Sequence, residues 1–128
     1  MTRLAALLVV PVLLVAGCGG GSSTKVGAGG GTTDAAGAPG AQSAEVDGKD
    51  TLRFAPNVVQ AKVGTLSLTF ANTGQVPHNL VFDDSSLGRT ATVNGGAKQV
   101  LTLKLDKTGS YAFQCTFHPG MTGKVVVS

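Results

Sequence analysis

Tryptophan is absent from this 128-residue chain, tyrosine occurs once, phenylalanine five times, and histidine, cysteine and methionine only twice each. So few His and Cys exclude a zinc-ribbon array, a multi-haem protein or a disulfide-stapled scaffold, each of which needs four or more ligands or bridging thiols. Charge is scarce too: 10 Lys and Arg against 7 Asp and Glu leave a formal +3 at neutral pH. Lys49, Arg53, Lys62, Arg89, Lys98, Lys104, Lys107 and Lys124 are spread along the chain without forming a run. That is neither the magnitude nor the arrangement of a nucleic-acid footprint. What remains is one domain by length, with room for a single small site.

No apolar run is long enough for a spanning helix, which takes roughly 20 residues. The longest, Leu4 to Ala16, has 13 residues and follows Arg3. A basic residue followed by an apolar stretch of this length predicts a secretory signal over residues 1–17. The run ends in Leu14-Val15-Ala16-Gly17-Cys18, which resembles the lipobox of bacterial lipoproteins, with Cys18 as the lipidated residue of the mature chain. The alternative is an ordinary signal peptide with an incidental Cys. Glycine, by contrast, is abundant, and ten of its 19 residues fall between Gly17 and Gly40. A stretch of Gly, Ser, Thr and Ala buries too little surface to offset its backbone entropy, so residues 18–44 are expected to form a disordered tether. The folding unit is then expected to be residues 45–128, which hold all six aromatic residues.

Within that unit the pattern is all-β. Leu66, Leu68 and Phe70 alternate with Ser67 and Thr69, and Leu101, Leu103 and Leu105 alternate with Thr102 and Lys104. Each run therefore presents one apolar and one polar face. Further strands are expected at 51–54, 58–63, 78–82, 91–93, 109–115 and 123–127, separated by turn signals such as Asn72-Thr73-Gly74, Asn94-Gly95-Gly96 and Pro119-Gly120. About eight short strands fit a Greek-key β-sandwich better than a helical or parallel architecture.

The chemistry-bearing stretch is Tyr111-Ala-Phe-Gln-Cys115-Thr-Phe-His118-Pro-Gly-Met121, with Cys115, His118 and Met121 three apart in a loop between two strands. His78 follows Pro77 at the start of another strand. Two imidazoles and a thiolate in a plane, with a weak axial thioether, form the blue-copper electron-transfer site. Taken singly, the residues have plainer readings. Cys115 could be a buried core thiol or a disulfide partner of Cys18, the two His satisfied structural residues, and Met121 gap-filling core. Zinc binding or Cu(I) storage would draw on similar ligands. Together, both His, the Cys of the domain and its Met occupy the four places of one pattern.

The segment Asn72-Thr-Gly-Gln-Val-Pro-His-Asn-Leu-Val-Phe-Asp and the Cys-x2-His-x2-Met loop resemble the ligand regions of cupredoxins of the plastocyanin and amicyanin type, the short loop being like that of amicyanin. The resemblance implies one copper ion held by His78, Cys115 and His118, with Met121 axial. It implies that Asn79 ties the two ligand loops together and hydrogen-bonds near the Cys sulfur. It also implies that Phe117, His118 and Pro119, with Met121, form an apolar patch where a redox partner such as a cytochrome, oxidase or dehydrogenase docks. Plant plastocyanins add an acidic patch, whereas this chain offers only Asp83-Asp84 near the first motif.

The expected function is a monomeric one-electron carrier, lipid-anchored to the outer face of a bacterial cytoplasmic membrane. The alternative is an extracytoplasmic protein that buffers or delivers copper without a redox role. An enzyme is not expected: additional copper centres need further His, a binuclear centre needs a second Cys in the loop, and neither His lies in a nucleophile-elbow context.

Overall fold

The computed structural model describes residues 30–128. Nine strands form two sheets: β1 (Thr32–Asp34), β2 (Gln42–Lys49), β3 (Arg53–Ala55), β4 (Val58–Ala61), β5 (Gly64–Asn72), β6 (Val81–Phe82), β7 (Lys98–Leu105), β8 (Gly109–Gln114) and β9 (Thr122–Val127). One sheet has the order β1-β4-β9-β8-β6 and the other β3-β2-β5-β7. A single 3₁₀ turn, Ser85–Leu87, is capped by the Asp84 carboxylate, which accepts from the Ser86 N–H at 3.0 Å.

Alternation in the sequence becomes the two faces of each sheet. Leu66, Leu68 and Phe70 of β5 are fully buried, as are Leu103 and Leu105 of β7, and they face Phe113, Val125 and Val127 from the other sheet. Phe54 joins the layers edge to face, with ring centroids 5.8 Å from Phe70 and 5.0 Å from Phe113. Burying each such side chain contributes about 1.5–3 kcal/mol, and the edge-to-face geometry adds to area burial.

The expected tether is corrected over its second half. Residues 32–34 pair in parallel with β4, and β2 begins at Gln42 and sits between β3 and β5, in register Gln42↔Leu66 to Gly48↔Asn72. The segment contains too few large side chains to look like a strand, but backbone pairing and the buried Gln42 hold it. Gln42 donates from Nε2 to the Lys62 carbonyl at 2.8 Å and accepts from the Lys62 N–H at 2.7 Å. The expected signal, Cys18 and the tether up to residue 29 lie outside the described residues.

A second correction concerns the segment after His78. Only Val81 and Phe82 enter a ladder, against Gln114 and Phe113 of β8. His78 instead pairs with Val93 through two backbone bonds, 3.1 and 2.7 Å, and the Leu80 N–H is taken by the Thr90 hydroxyl at 2.9 Å. The expected strands at 78–82 and 91–93 are therefore a short strand and a set of local bridges. This irregular backbone hands His78 to one end of the sandwich.

Candidate metal centre

Two loops at one end of the sandwich carry the chemistry. The first joins β5 to β6 and bears His78; the second joins β8 to β9 and bears Cys115, His118 and Met121. The second loop is closed on itself by backbone bonds: the Met121 N–H donates to the His118 carbonyl at 3.1 Å, and the Cys115 N–H to the Met121 carbonyl at 3.0 Å. Gly120, at φ +82°, makes the reversal that brings Met121 back. A side chain there would be strained in this left-handed region.

The first loop is fixed from below and beside. The Asp50 carboxylate accepts from the Gln75 N–H at 2.7 Å and the Val76 N–H at 3.0 Å, just before Pro77-His78. Asn72 donates from Nδ2 to the Val76 and Val93 carbonyls, 2.8 Å each, and accepts from the Gly74 N–H. Gly48 of β2 lies under the His78 ring; a Cβ there would stand 2.8 Å from Phe70 Cζ and 3.1 Å from His78 Cδ2. Nothing larger than hydrogen fits.

His78, Cys115 and His118 each present a ligand atom within 4.8 Å of the other two. Cys115 Sγ stands 3.9 Å from His78 Nδ1 and 3.5 Å from His118 Nδ1, and the imidazole centroids are 4.9 Å apart. Metal–sulfur and metal–nitrogen bonds of about 2.3 and 2.0 Å at an angle near 120° put the two atoms roughly 3.7 Å apart. The observed pair brackets that value, and the three donor atoms lie close enough together to share one metal ion. Thiolate with imidazole is a borderline-to-soft donor set, the kind that suits copper or zinc and not magnesium or calcium.

Burial supports the same conclusion. His78 is fully buried, and Met121 and Cys115 are 1% and 3% exposed, while His118 is half-buried. Burial holds the His78 imidazole below the usual histidine range, and the neighbouring His118 pushes it further down; the Lys49 carbonyl and the Asp50 carboxylate pull the other way. The ring is therefore kept neutral, the form in which it ligates. Its Nε2 is the one buried side-chain polar atom among the described residues without a partner of hydrogen-bonding geometry.

The four residues singled out in the sequence thus come to one end of the fold, and Asn79 joins them. Asn79 Nδ2 donates to Thr116 Oγ1 at 2.8 Å, and the Thr116 N–H donates to Asn79 Oδ1 at 2.8 Å, which ties the two loops. Both of these side-chain bonds go to Thr116, the residue that follows Cys115. Phe117 is 48% exposed and Pro119 is exposed beside His118, but Met121 is buried and does not belong to the outer patch. Asp50 and Gly48 were missed in the sequence: one is an ordinary surface carboxylate and the other one glycine among many, and nothing in their spacing points to His78.

Cys115 is free, which leaves its thiol available as a ligand. Comparison with known proteins agrees with this geometry. Residues 23–127 match the profile of the cupredoxin-like domain. The chain is 32% identical to plastocyanin of Ginkgo biloba over 89 residues, 60% of this chain and 89% of that one. It is 35% identical to amicyanin of Paracoccus denitrificans over 78 residues, spanning 59% of the length of each. In fold it resembles the reduced auracyanin of Roseiflexus castenholzii, with a TM-score of 0.58 at 20% identity, over 67% of this chain and 96% of that one. A two-sheet sandwich with a His-Cys-His cluster closed by a short Cys-x2-His-x2-Met loop, matched over residues 23–127, places this chain in the cupredoxin-like domain family.

Proposed function

We propose that this protein is a single-copper electron carrier tethered to the outer face of a bacterial cytoplasmic membrane, and that it performs no bond chemistry on a substrate. The observation that carries the reading is the convergence of His78 Nδ1, Cys115 Sγ and His118 Nδ1 around one point. These three atoms would hold the ion, with the Met121 thioether as a further, weaker donor. When bound, copper supplies a one-electron couple between its +1 and +2 states, for which this mixed soft and borderline ligand set is suited.

The protein's own part is to keep that ligand set dry, rigid and reachable from one side. Buried Cys115, His78 and Met121 exclude water. The Asn79–Thr116 pair and the Asp50 clamp stiffen the two loops, and such outer contacts orient the ligands and tune the metal. His118 is half-buried, with exposed Phe117 and Pro119 on either side of it in the chain. Its ring edge is the route by which an electron enters and leaves when a partner docks on that apolar surface. The tether reading rests on the short apolar run and Cys18. Among the described residues no helix is long and apolar enough to cross a membrane.

Addition of Cu(II) to the purified Cys18→Ser chain should produce an intense blue thiolate-to-copper band, and Cys115→Ser should abolish it. A colourless complex would sink the carrier reading. Rapid electron exchange with a cytochrome is the further expected result; a blue protein that exchanges no electrons would instead be a copper buffer or delivery protein.

A further inference from the structure

The described chain enters the fold at the metal-bearing end. Gly30 lines one cleft with Gly120 of the ligand loop and Thr122, the first residue of β9. Asn57 fixes this entry: its Oδ1 accepts from the Gly31 N–H at 3.0 Å, and the Asn57 and Val58 N–H groups donate to the Gly31 carbonyl. From there β1 runs away from the site, Thr32 level with Val58, which is itself level with Lys124. The added strand β1 thus starts beside the ligand loop, and the chain returns through β2 toward His78.

We propose that the metal-bearing end is the end held next to the membrane, and that the apolar cap around His118 serves a redox protein embedded in that same membrane. The inference rests on the proposed lipid anchor at Cys18. Eleven residues lie between Cys18 and Gly30, and the twelve residue-to-residue steps, at about 3.5 Å each, reach at most roughly 42 Å whatever their conformation. The opposite end, at the turn Asp106–Thr108, lies farther by the length of β8, about 20 Å for six residues. Because the chain is attached at this end, the far turn comes closer to the bilayer than the cap only when the whole domain turns over, so on average the cap lies nearer the bilayer. Val76, Pro77, Phe117 and Pro119 of the cap are exposed and uncharged, with the Asp50 carboxylate at the margin held on the Val76 amide, and such an apolar face suits a partner close to a membrane.

The test uses the full lipidated chain in vesicles of phosphatidylethanolamine and phosphatidylglycerol, with a donor fluorophore at Gln75→Cys near the cap or at Thr108→Cys on the far turn, and an acceptor on the lipid headgroups. Energy transfer should be severalfold greater from position 75; equal transfer, or more from position 108, overturns the proposal. Failure of the chain to float with vesicles at all overturns the anchoring reading and this proposal with it, whereas flotation with the wrong orientation overturns the proposal alone. The Cys18→Ser chain should not bind the bare vesicles; binding through the cap would make lipid the occupant of that surface. Finally, moving the anchor to a lipidated cysteine added after Ser128 should slow, at least tenfold, the one-electron oxidation of the Cu(I) form by membranes from the source cell. Oxidation by a small soluble complex should be unchanged. Equal rates at the membrane for the two anchor positions would overturn the assignment of a membrane-embedded partner.

Discussion

Asn79 and Thr116 are joined by two hydrogen bonds of 2.8 Å, one in each direction, across 37 residues of chain. Each belongs to a different ligand loop and sits next to a ligand in sequence, His78 and Cys115. The pair therefore controls the separation of the imidazole from the sulfur. Asn79→Ala leaves the Thr116 N–H without its acceptor, and the loss of two bonds from a nearly buried group is worth about 1–3 kcal/mol. We expect the apo protein to unfold at lower urea, with faster hydrogen exchange at the Thr116 amide and a shifted copper absorption. Thr116→Val removes one of the two bonds and should have the smaller effect on each. Equal stability of wild type and Asn79→Ala would mean the loops are held by other contacts.

Gly48 fills no space, and that is its contribution. A methyl group there would overlap Phe70 and press on the His78 ring. Overpacking of this kind costs about 1–3 kcal/mol, and here part of the strain is relieved by displacing a ligand. Gly48→Ala should lower apo stability by that amount and weaken copper binding in a competition titration. Stability lost without any change in copper affinity would show that Phe70 alone moves aside.

Asp50 makes the apo fold sensitive to acid. Its carboxylate accepts from the Val76 and Gln75 amides and lies near His78, which together hold it below the usual carboxylate range against a small opposing effect of burial. The unfolded chain therefore takes up this proton at higher pH than the folded one does. The stabilisation is complete above about pH 3.9 and is lost as pH falls through the lower folded value. Asp50→Ala should melt below wild type at neutral pH, with the two melting curves converging in acid. A gap that does not change with pH would mean that the clamp does not depend on the carboxylate charge.

Copper should itself stabilise the fold by mass action, by about 2.7 kcal/mol at a free concentration one hundred times the dissociation constant. Because the ligands bind metal only when deprotonated, acid works against that gain. The burial of His78, which already keeps its ring neutral, delays the loss. Calorimetry should show the holo form melting well above the apo form near neutral pH, with the difference closing as pH falls. Removal of copper by a chelator should restore the apo value, and coincident melts with and without copper would count against a bound ion.

How far the sequence carried the structure depended on where side-chain chemistry is concentrated. β5 and β7 were legible because their buried residues are large and alternate, and the ligands were legible because His, Cys and Met are so scarce that their spacing has few readings. β1 and β2 were hidden because they use small or polar residues at inward positions: Gln42 is 3% exposed, and Gly48 is buried because Phe70 and His78 leave it no room. The clamp of Asp50 on the His78 loop was equally hidden. It acts through backbone amides 25 and 26 residues away, and any residue type could supply those amides.

Gln42 tests this explanation directly. Gln42→Leu would give β2 the apolar alternation Leu-Ala-Val at positions 42, 44 and 46, so that the sequence would look more like a strand. It would also strip the Lys62 N–H and carbonyl of both partners. Lys62 is exposed, so water recovers part of each bond. Leu gains apolar burial of about the same order, but it cannot replace two short bonds to one backbone unit between the sheets. The expected outcome is a net loss of about 1–2 kcal/mol, read from urea denaturation, with faster exchange at the Lys62 amide. A more stable Gln42→Leu variant would show that the polar residue is there for a reason other than holding β2 to the β4–β5 turn.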